Sequence, residues 1–216
     1  MIKIWKFAGI FVLLGFWWFF PTRSVVLMGK FHWIDKANLQ SEIEPVLTGG
    51  FFRFSLNKLQ QRVMLVDGVE SVDLWRCWPG DIVIRLKART PMLRWHQDGL
   101  VDKNGILFYS SYKVKGVDKL PDLKTPMQKI PQAVRLFVAF SKLLNHKYSI
   151  QSIEYKPVKG WLVHSKNGLN IVLGQEHMLK RLKHFKTYLP KVKWRYRHSS
   201  ILVDLRYTRG FSVKEL

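Results

Sequence analysis

Along this chain the spacing of apolar positions changes several times, and each change marks an element. Phe7 to Phe20 holds no charged side chain. At about 1.5 Å per residue that run covers about 21 Å, so spanning a bilayer requires counting from Met1, with Lys3 and Lys6 reaching back to the headgroups. Trp5, Trp17 and Trp18 suit interface positions, and Trp17 to Pro21 offers no small-residue cleavage site. Residues 1–22 therefore read as an uncleaved single-pass anchor. Val25 to Met28 predicts a short strand closed by Gly29. Asp35 to Val46 has helical spacing up to Thr48-Gly49-Gly50, with Pro45 at or past the last turn. Ser55 is placed to cap a second helix, Leu56 to Val66, with Leu59, Val63 and Val66 on one face. Two strands follow. Val72 and Leu74 oppose Asp73 and Trp75 in the first, and Ile82, Ile84, Leu86 and Ala88 oppose Val83, Arg85 and Lys87 in the second. Trp78-Pro79-Gly80-Asp81 supplies the hairpin turn. The order β-α-α-β-β makes a compact unit over residues 23–90.

From Pro91 the pattern shifts to short strands, MLRW, LVD and ILFY, separated by Gln97-Asp98-Gly99 and Asp102-Lys103-Asn104-Gly105. Pro131 opens a helix to about His146, with Val134, Phe137, Val138 and Leu144 as its apolar stripe. Ile150 to Tyr155, Trp161 to Val163 and Leu169 to Leu173 predict strands. A helix over about Glu176 to Leu189 presents Leu179, Leu182, Phe185 and Leu189. The chain closes on ILVDLRYTRGFSV, in which Ile201, Val203, Leu205, Tyr207, Phe211 and Val213 keep a period of two that only Arg209 breaks. This predicts one long terminal strand with an open outer edge. The second unit, residues 91–216, is expected to be sequential antiparallel strands with helices against the sheet, which makes the whole chain α+β.

Charge changes the picture more than length does. At 216 residues the chain carries a formal net charge of +21, which predicts attraction to something acidic: nucleic acid, anionic lipid or an acidic protein. Leu179 to His198 contains no acid and reads as a solvated helix face continuing into a charged loop; contact with anionic headgroups or an acidic partner is the alternative. Cys77 is the single cysteine, so no intramolecular disulfide can form, and its expected role is that of a small apolar side chain. His177 and His184 lie two helical turns apart, too far to share one metal ion. There is no G-x-S-x-G, no H-E-x-x-H and no glycine-rich phosphate loop. Trp78-Pro79 reads as turn and packing chemistry rather than a ligand site. The charges flanking the apolar run nearly balance, so the positive-inside rule leaves orientation open.

Several motifs follow one another in a fixed order: GGFF at Gly49 to Phe52, LWRCWPGDIVIRL at Leu74 to Leu86, PMLRW at Pro91 to Trp95 and LVDKNGILF at Leu100 to Phe108. LPDLKTP at Leu120 to Pro126, GWLV and NGLNIVLG between Gly160 and Gly174, RLKHF at Arg181 to Phe185, and VDLRYTRGFSV at Val203 to Val213 complete the series. Their order and spacing resemble the bacterial division family FtsQ, called DivIB in Gram-positives. The resemblance implies a single-pass inner-membrane protein at the division septum, with a cytoplasmic N-terminus and its bulk in the periplasm. It implies that the first unit is a POTRA domain and the second the family's β domain. No enzymatic activity is implied, and neither a cofactor nor a metal is expected. The implied role is a scaffold that links early and late division proteins and binds the small coiled-coil proteins FtsB and FtsL. FtsB would add a strand to the last strand of the β domain.

That mode makes Val203, Leu205, Arg206, Tyr207, Thr208, Arg209, Gly210, Phe211 and Val213 the expected partner-binding residues. Tyr207 matches the family's partner-contacting tyrosine, and Gly210 the glycine that permits close backbone approach. Val158 stands where the family carries a contact arginine, with Lys159 beside it. Arg209 replaces a small residue, and Ala88 a glutamate. The rival reading is a membrane-tethered basic nucleic-acid-binding protein facing the cytoplasm. No DNA- or RNA-reading module supports it. A secretion or outer-membrane assembly factor is a further rival, although such proteins usually carry POTRA units in tandem.

Overall fold

The computed structural model describes residues 22–29, 34–48, 51–96, 99–110, 116–144, 149–195 (side chains to 192), 200–207 and 210–216. The expected anchor falls outside them apart from Thr22, as do Thr208 and Arg209. Among the described residues no helix is long and apolar enough to cross a membrane. The chain divides into two compact units, one reaching Arg89 and the other beginning at Thr90, with the short piece from Tyr109 counted in the first.

The first unit runs β1 (Ser24–Met28), α1 (Lys36–Leu47), α2 (Leu56–Met64), β2 (Val69–Cys77) and β3 (Asp81–Ala88). The strands lie in the order β1-β3-β2, with β1 parallel and β2 antiparallel to β3. Side chains start both helices. An Asp35 carboxylate oxygen accepts the Ala37 N–H at 2.9 Å, and the Ser55 hydroxyl accepts that of Lys58 at 3.4 Å. Pro45 lies inside α1. Leu39 and Ile43 of α1, Leu59 and Val63 of α2, and Ile82, Ile84 and Leu86 of β3 form one buried cluster, each full burial stabilising by about 1.5–3 kcal/mol. Val83 lies on the other face of the sheet, as its spacing requires, yet it is also buried; Val26 and Trp75 are its register partners. Arg76 fixes the aromatic loop before α2. Its guanidinium donates to the Phe51 and Phe54 carbonyls at 3.0 and 2.6 Å and lies 4.6 Å from the Phe54 ring centre. Trp78 at the β2–β3 turn is 81% exposed, so the packing role expected for it is absent.

The second unit runs β4 (Pro91–Trp95), β5 (Gly99–Asp102), β6 (Leu107–Tyr109), β7 (Asp122–Lys124), α3 (Ile130–Leu143), β8 (Ile150–Lys156), β9 (Gly160–Ser165), β10 (Leu169–Gly174), α4 (Met178–Arg195), β11 (Ile201–Asp204) and β12 (Ser212–Glu215). One nine-stranded sheet takes the order β12-β11-β10-β9-β8-β7-β4-β5-β6. The expectation of sequential antiparallel strands needs correction, because β4–β7, β7–β8 and β10–β11 pair in parallel. The last two pairs are joined by chain containing α3 and α4. A helix returns the chain to the end at which the previous strand began, which is what a parallel pair needs.

The core between sheet and helices includes Phe140 of α3, Trp161 and Phe185 of α4, all fully buried. Two stripes also need correction. In α3 the buried residues are Ile130, Ala133, Val134, Leu136 and Phe140, whereas Val138 is exposed. In α4 Leu182, Phe185, Leu189 and Val192 are buried and Leu179 is exposed, because Met178, one turn before Leu182, takes the core-facing position instead.

The largest correction is at the C-terminus. The expected unbroken strand from Ile201 to Val213 is two strands: β11 turns at Leu205 to Phe211 and returns as β12. Both flanks of β11 are therefore taken by its own molecule, β10 on one side and β12 on the other.

Candidate functional site

The hairpin is built from its buried row outward. Ile201, Val203 and Leu205 point into the core and are at most 3% exposed. Beyond the strand ends, Ile201 N–H donates to the Gly168 carbonyl and Leu205 N–H to that of Val172, each at 2.8 Å. Val203 and Leu205 thus hold the hairpin down; their side chains are not offered to solvent.

The β11–β12 register settles which way the outer strand faces. Val203 lies opposite Val213 and Leu202 opposite Lys214, and beyond the pairing Leu216 N–H donates to the Ser200 carbonyl at 2.9 Å. Directly opposed antiparallel residues alternate between exchanging hydrogen bonds and not. Pair 200/216 exchanges, so 202/214 and 204/212 do as well. Pair 203/213 does not, and the N–H and C=O of Val213 point away from β11. As β12 is the outermost strand of the sheet among the described residues, these groups lie on its outer edge.

The turn is organised by Asp204. Its carboxylate accepts the Arg206 backbone N–H at 3.0 Å, and the Arg206 guanidinium through Nε at 3.0 Å and a terminal nitrogen at 2.7 Å. Burial alone would raise the Asp204 pKa, but the hydrogen bonds from Arg206 outweigh it and hold the carboxyl below its ordinary value. The same carboxylate raises the pKa of Arg206. Beyond this clamp Tyr207 is 59% exposed. Phe211 turns inward, edge-on to Phe185 at 5.2 Å and tilted against Tyr188 at 5.6 Å between ring centres.

Between turn and helix lies a groove of about 800 Å³. His177, Lys180, Lys183 and His184 of the α4 segment line one side, and Leu205, Tyr207, Gly210 and Phe211 the other. Its floor is apolar, through Phe185 and Leu205, and its rim is basic. Such a surface suits an extended or helical segment with an apolar anchor and acidic flanks. A Cβ built on Gly210 would meet nothing within 4 Å, so the free protein makes no steric demand for glycine there.

Of the expected site residues, Arg206, Tyr207, Gly210 and Phe211 gather in the turn, Val213 lies on the outer strand, and Val203 and Leu205 lie beneath. Val158 is 89% exposed and lies between β8 and β9, outside the groove. Sequence reasoning missed Asp204, and it read the α4 wall, which lies in the acid-free run Leu179 to His198, as a solvated face with an acidic partner only as the alternative. The available signal was the Arg209-Gly210 interruption of the alternating row, which marks a reversal rather than a flaw in a strand.

Comparison with known proteins bears on the same region. The model of the family described as cell division protein FtsQ/DivIB, C-terminal, matches residues 93–206. The match stops before Tyr207, so the outer part of the hairpin lies beyond it. Proteins called cell division protein FtsQ match more of the chain. That of Thiomonas arsenitoxydans is 28% identical, over 95% of this chain and 78% of its own. That of Neisseria meningitidis serogroup B is 27% identical, over 93% and 86%. That of Coxiella burnetii is 26% identical, over 90% and 80%.

Proposed function

The chain belongs to the FtsQ/DivIB family of bacterial cell-division proteins, and from that premise we propose that it is a non-enzymatic scaffold of the division machinery. In this reading residues 1–22 anchor it in the inner membrane, with the N-terminus cytoplasmic and the bulk periplasmic. The first unit is a POTRA domain, a reading supported by its β-α-α-β-β order. The scaffold binds FtsB and FtsL at the septum and links early to late division proteins. FtsB adds a strand to β12, and its neighbouring segment fills the groove beside Tyr207.

The observation that carries this reading is the outward-facing backbone of Val213 on the terminal strand of the sheet. Arg206, Tyr207, Thr208, Arg209 and Phe211 then supply side-chain contacts, Gly210 lets the partner's backbone approach closely, and Val203 and Leu205 support them from below.

Val213→Pro tests it. Proline is tolerated at an edge position whose N–H faces solvent, so the fold should survive while the donor to an added strand is lost. Co-purification with FtsB and FtsL should fall to background, with circular dichroism unchanged. Full binding by a folded Val213→Pro protein would refute strand addition at β12. A C-terminal topology reporter tests orientation separately, since cytoplasmic placement would exclude a periplasmic scaffold.

A further inference from the structure

We propose that the turn between β2 and β3 sits in the headgroup layer of the membrane, with Trp78 as the side chain inserted there. The proposal rests on the anchor reading above. It adds that the first unit is held against the bilayer by a second contact.

Three observations converge on this turn. Trp78 is 81% exposed, against 0% for Trp161 in the core of the second unit. An indole this exposed leaves a large apolar surface in water, with an N–H donor at its rim. That combination is suited to the membrane interface, where the ring contacts acyl chains and the N–H stays hydrated.

The second observation is position. Arg23 donates its backbone N–H to the Gly80 carbonyl at 2.9 Å, and the Ser24 hydroxyl donates to Asp81 at 2.7 Å. The turn is thereby tied to the chain where it emerges from the apolar run ending at Phe20. From Phe20 to Arg23 the chain extends at most about 11 Å. The headgroup layer is about 5–8 Å deep on each side of the hydrocarbon, so a span ending near Phe20 leaves the turn within reach of it.

The third observation is the chemistry at that end of the unit. Arg23 lies beside the turn, and Pro79 and Gly80 add no charge between Trp78 and Asp81. A basic residue held by its backbone to a turn that carries an exposed indole suits a layer of phosphate headgroups.

The test uses the full chain in nanodiscs of phosphatidylethanolamine and phosphatidylglycerol. Cys77 is partly exposed and stands next to Trp78, so a nitroxide can be attached with no substitution. Oxygen and a water-soluble nickel chelate then report its depth by power saturation. Leu65→Cys in a Cys77→Ser background is the control, since β2 places it about 30 Å from the turn. Gly15→Cys in the same background reports the anchor.

The label at Cys77 should favour oxygen several-fold more than that at Leu65→Cys. Trp78→Ser should return it to the Leu65 value, with the circular dichroism spectrum unchanged because the replaced ring is exposed. A water-like label at Cys77 while Gly15→Cys reports hydrocarbon overturns the proposal and leaves the anchor standing. Equal shielding of Cys77 with and without Trp78 overturns the role given to that side chain. A water-like label at Gly15→Cys refutes the anchor, and the proposal falls with it.

Discussion

Tyr207 and Gly210 are residues whose identity the free fold does not explain. The tyrosine is more than half exposed, and the glycine stands in open space. In the proposed function both are explained by a partner. Tyr207→Ala should weaken FtsB binding by about 2 kcal/mol, a hot-spot-sized loss, while the melting temperature barely moves because little of the ring is buried. Gly210→Ala should likewise leave stability unchanged but reduce affinity, because the added methyl meets the incoming backbone. Titration calorimetry paired with thermal melts checks both, and a loss of stability without a loss of binding would reverse the assignment. At this scale the sequence was informative about which residues matter but not about which way they face. Val203 and Tyr207 share the odd-numbered row, yet one is fully buried and the other largely in water, because the chain reverses between Leu205 and Phe211. A period of two describes a strand only while it runs straight.

The hairpin itself is the element through which these residues act, and Asp204 holds it in shape. The folded-state pKa of this carboxyl lies below its ordinary value, so its contribution to stability is present above about pH 4, the unfolded aspartate value. It is lost as pH falls through the lower folded-state value. Asp204→Asn should therefore cost about 1 kcal/mol at neutral pH, discounted for the part-exposed arginine. The gap to the unmodified protein should close in acid. Urea unfolding at pH 7 and near pH 3 checks this, and a constant gap would mean the clamp is not electrostatic. The parallel pairings were illegible for a different reason. Turn chemistry predicts that strands exist, but not which strands lie side by side. β4 and β7 pair across two strands that intervene in sequence, where Arg94 Nε donates to Asp122 at 2.7 Å. The α3 stripe was misread because Ala133, Val134, Leu136, Phe137 and Val138 are apolar on several sides, so periodicity alone could not choose a face.

Over the whole molecule the surplus of base, 36 lysines and arginines against 15 aspartates and glutamates, acts on folding as well as on partners. The ion pairs among the described residues, such as Arg62 with Glu42 and Lys87 with Glu70, join exposed cations to part-buried acids, and with 15 acids to 36 bases they leave most of that charge uncompensated. Like charges repel most in the compact state, and the screening length shrinks from about 30 Å at 10 mM salt to about 8 Å at 150 mM. The melting temperature should therefore rise with ionic strength over that range, opposite to a protein held together by surface ion pairs. Differential scanning calorimetry in sodium chloride checks it, and a flat or falling curve would mean that local pairing already balances the surplus. The same surplus predicts salt-sensitive attachment to any polyanion in vitro, nucleic acid included, whatever the protein does in the cell. Retention on nucleic acid therefore discriminates nothing between a scaffold and a nucleic-acid binder. What separates them is which side of the membrane holds the basic units, and whether β12 accepts a strand there.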